Sequence, residues 1–184
     1  MNKHQRTVWM TATAFIAAGL LTFSPAIKAA DVPDSEQVSK LLSEAKTMAF
    51  QLKEDAETME GYARSNVSWE SHAIAITQIK EHVNALGRQA AKLKDAKNTA
   101  SPWQKTAIDR INPFLDELEG YTSAVIEHIK KHPKLLTTPE YKDYLEANAD
   151  YAGDLAAMVG DFVDYGRTKQ RFQSLTDRLE LPAR

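Results

Sequence analysis

The sequence predicts an all-α fold, an antiparallel up-down-up-down four-helix bundle preceded by a cleaved signal peptide. Three observations carry this. Four long stretches have apolar residues recurring at alternating spacings of three and four, the signature of an amphipathic helix. No stretch sustains a period of two, so strands are not expected. The connections are roughly four to eight residues long, which forces sequential helices to lie antiparallel.

The first 30 residues form a separate element. Met1 to Arg6 is basic, with Lys3 and Arg6, and an apolar run follows from Thr7 to Phe23. Ser24-Pro25 and a small-residue stretch ending at Ala29-Ala30 close it. Basic, apolar and small regions in that order make a secretory signal. A membrane anchor is the alternative, but the run is short for a span and interrupted by Thr11, Thr13 and Thr22. Cleavage is expected after Ala30, or after Ala29. The mature protein is then expected in the periplasm or outside the cell, and not embedded in a membrane.

Residues 31–184 are expected to form a single bundle, with helices at about 35–63, 68–97, 102–132 and 139–179. The first carries Val38, Leu41, Ala45, Met48, Leu52, Met59 and Tyr62; the second carries Trp69, Ile76, Ile79, Val83, Leu86, Ala90 and Leu93. The third opens with Ser101-Pro102-Trp103-Gln104, a capping box with Pro in its first turn. Pro113 inside it removes a backbone donor and predicts a kink. The fourth opens with Thr138-Pro139 and carries Tyr141, Tyr144, Tyr151, Leu155, Met158, Phe162, Tyr165, Phe172 and Leu179.

Composition removes several function classes. The 184 residues include no Cys, which excludes disulfides, thiolate metal sites, covalent c-type haem and Cys nucleophiles. Loss of Lys3, Arg6 and Lys28 with the signal leaves 20 basic residues against 25 acidic, a net charge of −5. Such a chain is not expected to hold nucleic acid. No Walker loop, dinucleotide fingerprint, nucleophile elbow or His-Glu-x-x-His occurs. The residues three before His72, His82, His128 and His132 are Trp69, Ile79, Val125 and Ile129, so the Glu-x-x-His pattern of di-iron bundles is absent. No catalytic role is expected.

Polar residues on the apolar seams mark candidate sites. Reflecting helix two about the loop near residue 100 puts His72 level with His128. Reflections about the loops near residues 65 and 136 bring Met59 and Tyr144 to the same layer, with Asp55 and Asn148 one turn deeper. The sharp reading is a metal site of His72, His128, Met59, Tyr144 and Asp55, for a transition metal or a b-type haem. The bland reading, favoured here, is a hydrogen-bonded layer that fixes helix register, with Asp55, Tyr144 and Asn148 satisfying the imidazoles; no cofactor is then expected. His128 and His132 also have chelating spacing, although His132 sits where a helix ends. His82 is expected level with Glu117 and Asp154, so a carboxylate contact is the sharp reading, and a partly exposed histidine beside Lys80 and Glu81 is the favoured one.

Helix four carries a second pattern. Ala149, Gly153, Ala156, Gly160 and Val163 line one side, and small residues permit close helix approach. This stripe is the candidate interface for a homodimer or an envelope protein; the alternative is that helix four is surrounded by its own bundle, or that the glycines are simply tolerated.

The strings SHAIAITQIKEHVNALG, ASPWQKTAIDRINPFLDEL and DFVDYG resemble parts of an uncharacterised family of exported helical proteins from environmental bacteria, over about residues 35 to 180. That resemblance implies export and a helical fold, and it brings no activity. The architecture also resembles the four-helix b-type cytochromes of the periplasm. Those place a Met near the start of the first helix and a His near the end of the last, and here the last helix has no His. The expected function is non-enzymatic binding or interaction in the cell envelope, with a metal- or haem-binding bundle as the alternative.

Overall fold

The computed structural model describes residues 32–65 and 67–180. Four helices account for nearly all of them: α1 (Glu36–Tyr62), α2 (Trp69–Asp95), α3 (Pro102–Lys131) and α4 (Pro139–Arg178). A 3₁₀ turn, Ala96–Thr99, joins α2 to α3. No strand occurs among the described residues. The predicted signal segment lies outside them. No helix among them is long and apolar enough to cross a membrane.

The chain folds as a four-helix bundle because each amphipathic face meets two neighbours. α1 packs on α2, α2 on α3, α3 on α4, and α4 closes the ring against α1. The core runs the length of the bundle through fully buried Leu42, Leu52, Ile79, Leu86, Leu118 and Leu155. Each such side chain contributes about 1.5–3 kcal/mol over leaving it in water. Contacts are densest between α1 and α4, where both helices bury alanines: Ala45, Ala49 and Ala56 on one, Ala149, Ala152 and Ala156 on the other. α3 runs unbroken through Pro113.

The N-terminal ends of α1 and α3 are tied together by one side chain. Gln104, wholly buried, accepts the Ser101 N–H at 2.9 Å, its arm of the capping box, and the Ser35 N–H at 3.0 Å. Its amide donates to the Ser35 carbonyl and the Ser39 hydroxyl, both at 2.9 Å. All four hydrogen-bonding positions of one amide are thereby filled, and three of them hold two diagonal helices in register.

α4 is 40 residues long, whereas α1 and α2 have 27 each. Its extra length projects past the bundle end. From Gln170 to Arg178 every residue except Thr176 is exposed, including Phe172 at 67% and Leu175 at 42%. Phe172 and Leu179, expected on the core stripe, lie outside it because the stripe runs past the end of its partner helices, and Tyr165, packed on Trp103 of α3, is exposed on the outer side.

Candidate functional site

At the end of the bundle formed by the α1–α2 and α3–α4 loops, His72 and His128 are buried against one aromatic ring, that of Tyr141. The ring centroids lie 5.5 Å from His72 and 4.8 Å from His128. His72 Nδ1 and the Tyr141 hydroxyl are hydrogen-bonded at 2.7 Å, with both residues at most 1% exposed. His128 Nε2 donates to the Leu135 carbonyl at 3.0 Å, closing the α3–α4 turn. Tyr62 covers His72 edge-on at 5.5 Å. Burial lowers the His72 pKa and pushes the Tyr141 phenol far above its usual value, so both are neutral at pH 7.

The expected ligand set does not converge on this layer. Tyr144 lies one turn beyond, half-buried, its hydroxyl donating to Glu140 at 2.8 Å. Tyr141 takes the place expected of it, because the α3–α4 turn centres nearer residue 134 than 136. Asp55 is turned to His82, with Oδ2 and Nδ1 2.7 Å apart, so His82 meets Asp55 and neither Glu117 nor Asp154. Both of those atoms are sealed from solvent, although their side chains are about one-third exposed. Met59 is fully buried in the α1 core. Asn148 accepts the Thr122 hydroxyl at 3.1 Å instead of serving an imidazole. The α1–α2 register explains the shift of Asp55: the Tyr62 ring is the α1 group that meets His72, one turn from the reflection about residue 65. His132 packs edge-on against the His128 ring at 5.4 Å while the His128 Nε2 is held by Leu135. No group of three or more His, Asp or Glu side chains suited to a metal occurs among the described residues.

The small-residue stripe of α4 is not a free surface. Ala149, Ala156, Gly160 and Val163 are buried inside the chain's own bundle. A Cβ at Gly160 meets the Phe50 ring and the Lys46 side chain of α1 at 3.7–3.8 Å. Gly153 is half-buried and a Cβ there meets nothing within 4 Å. Small residues at that spacing serve close approach, as expected, but the helix they admit is α1 of the same chain.

A different face of α4 is open. Between α3 and α4 runs a groove of about 630 Å³ lined by Trp103, Arg110 and Phe114 from α3 and Asp154, Met158, Asp161, Phe162 and Tyr165 from α4. Trp103 and Tyr165 meet edge-to-face at 5.5 Å, with Tyr165 53% exposed. Arg110 lies over the Phe162 ring at 5.9 Å, and Phe114 continues the aromatic row to Tyr151, which stacks on Tyr121. Trp103 is seated because residue 166 is Gly: a Cβ there falls 2.7 Å from its ring. Its indole N–H donates to Asp34 at 2.7 Å, and Lys169 donates to the same carboxylate oxygen at 3.0 Å. Burial raises the Asp34 pKa, but the nearby Ser101 hydroxyl and the hydrogen bonds from Lys169 and Trp103 outweigh it and hold the carboxyl below its usual range. This groove escaped the sequence reading because its α4 row alternates acid and apolar residues. The only signal was the 4-3 spacing of Asp154, Met158, Asp161 and Tyr165.

Compared with known proteins, the chain matches no family model, and no curated protein or solved structure shows significant similarity to it.

Proposed function

We propose that the protein is an exported, non-enzymatic helical bundle that works by binding, and that the α3–α4 groove is its contact surface. The observation that carries this reading is the groove itself: a row of aromatic side chains held partly in water beside Asp154 and Asp161. Apolar surface gathered in one rimmed depression marks interaction sites on soluble proteins. Its walls are rigid, since Trp103 is pinned by Asp34 and by the space over Gly166. The basic, apolar and small regions of residues 1–30 support export to the periplasm or beyond.

The His72 layer supports a structural role. Against the metal- or haem-binding alternative, one ring nitrogen of each imidazole, His72 Nδ1 and His128 Nε2, is engaged by Tyr141 and Leu135. Asp55 and Tyr144 are likewise spent on His82 and Glu140. A catalytic reading of His82 and Asp55 lacks a nucleophile: no hydroxyl among the described residues hydrogen-bonds to His82, and the chain has no thiol.

The test is photo-cross-linking in cells that export the protein. A photoreactive side chain replaces Tyr165 in the groove, or Ile74, which is 64% exposed on α2, as control. Discrete protein adducts at 165 and none at 74 are expected, on a chain whose mass starts near Asp31. Equal adduct patterns at both positions, no adduct at 165, or an intact Met1 on the exported chain overturns the reading.

A further inference from the structure

The outward row of α4 does not stop where the groove ends. Asp154, Met158, Asp161, Tyr165, Thr168, Phe172, Leu175 and Leu179 follow one another at spacings of 4, 3, 4, 3, 4, 3 and 4. That is a heptad seam, the pattern by which one helix packs along another. Its first half lies in the groove of α3 and α4. Its second half lies on the projecting end of α4, where Phe172 and Leu179 are 67% and 63% exposed. A seam of this length with no partner inside the chain is suited to a partner outside it.

The charges identify that partner. The groove half carries Asp154 and Asp161; the projecting half carries Arg171 and Arg178. None of the four is in an ion pair among the described residues, whereas nearby Asp164, Arg167 and Lys169 all are. Suppose a second copy of α4 lies antiparallel, with a two-fold axis level with Gly166. Arg171, five residues after Gly166, then lies opposite Asp161, five residues before it. Arg178, twelve after, lies opposite Asp154, twelve before. In the same register Leu175, nine after Gly166, comes level with Ala157, next to Met158, and Phe172, six after, comes level with Gly160, two residues from Phe162. One register sets both arginines opposite aspartates, the two pairs sharing a seven-residue spacing. The symmetry repeats each pair, because an interface of this kind is isologous.

We infer that the partner in the groove is a second copy of this chain: the projecting end of each α4 lies in the α3–α4 groove of the other, and the two helices form an antiparallel coiled coil centred on Gly166. The inference rests on the groove being a contact surface and names its occupant.

Sedimentation of the purified protein, with a charge-swap series, tests it. The unaltered protein is expected to be a dimer at micromolar concentration, with affinity falling as salt rises. Arg171→Glu with Arg178→Glu sets like charges opposite each other at four places and is expected to weaken the dimer at least a hundredfold. Adding Asp154→Lys and Asp161→Lys restores opposite signs and is expected to restore the dimer. All four positions are exposed, and circular dichroism verifies that each variant is folded. A second measurement reads direction. A short bis-maleimide is expected to join two copies of Thr168→Cys, which lie near the axis. It is not expected to join two copies of Leu175→Cys, about 27 Å apart along the helices. A monomer at every concentration, a dimer indifferent to the reversal, no recovery in the four-fold variant, or joining at Leu175→Cys overturns the inference. If the chain is monomeric yet position 165 cross-links to a different protein, the inference falls and the groove reading stands.

Discussion

Removing one hydroxyl tests whether the buried His72 layer is structural. In Tyr141→Phe the ring still fills the space between His72 and His128, but His72 Nδ1 loses its 2.7 Å partner at a position 1% exposed to water. No solvent replaces the lost bond. A buried polar atom stripped of its partner costs about 1–3 kcal/mol. For a domain of this size about 2 kcal/mol lowers the melting temperature by about 4–8 °C. His72→Phe leaves the Tyr141 hydroxyl stranded instead, at a similar cost. The double variant strands neither atom, so its loss is expected to fall short of the summed single losses by about 1–2 kcal/mol. Urea denaturation of the four proteins at pH 7.5, followed by circular dichroism, measures the cycle. A Tyr141→Phe loss under about 0.5 kcal/mol, within the range of ordinary surface changes, refutes the reasoning. Strict additivity refutes it as well.

Two glycines on α4 make opposite predictions. Gly166→Ala drives a Cβ to 2.7 Å from Trp103, so the indole must leave Asp34, and a loss of about 1–3 kcal/mol is expected with a shifted Trp emission. Gly153→Ala meets open space in a helix interior and is expected to gain up to about 1 kcal/mol; thermal melts moving in the same direction contradict the geometry. Gln104→Leu removes four hydrogen bonds at a wholly buried position, and a loss of about 2–4 kcal/mol is expected. Hydrogen exchange at the start of α1 reads it, and unchanged protection of the Ser35 and Ser39 amides counts against the tie.

The bundle was legible because its information is periodic: a 3-4 spacing states both that a segment is helical and which face it buries. The loop near residue 100 also carried usable register, bringing His72 and His128 to one ring. Register failed at the other two loops by one turn, which exchanges Tyr144 for Tyr141 and releases Asp55 to His82. One turn is the reach of a single side chain, so a ligand set inferred by reflection is lost at that error. The stripe around Gly153 and Gly160 failed for another reason. Small residues report that a backbone comes close, and the sequence does not say whose. The groove went unread because Met158, Phe162 and Tyr165 fit the core period equally well, and the shorter length of α1 and α2 leaves Phe172 outside it.

The two ends of the bundle are built to answer acid differently. The His72 end depends on a neutral imidazole whose folded pKa is lowered by burial. Its contribution is fully present above the unfolded value of about 6.5 and is lost as pH falls from there toward the lower folded value. The Asp34 end depends on a charged carboxylate whose folded pKa is held below 3.8. Its contribution is present above that unfolded value and is lost only as pH falls through the folded one. Between pH 6.5 and 4 the loop end therefore loosens while the end holding Trp103, Gln104 and the base of the α4 projection stays tied. Hydrogen-exchange protection factors at pH 7.5 and 5.0, corrected for intrinsic rates, are expected to fall around His72, His128 and Tyr141 and to hold around Ser39, Trp103 and Lys169. In His72→Phe the fall near Tyr141 is expected to shrink, because the titrating group is gone. A uniform fall at both ends, or one confined to the Trp103 end, contradicts this assignment of acid sensitivity.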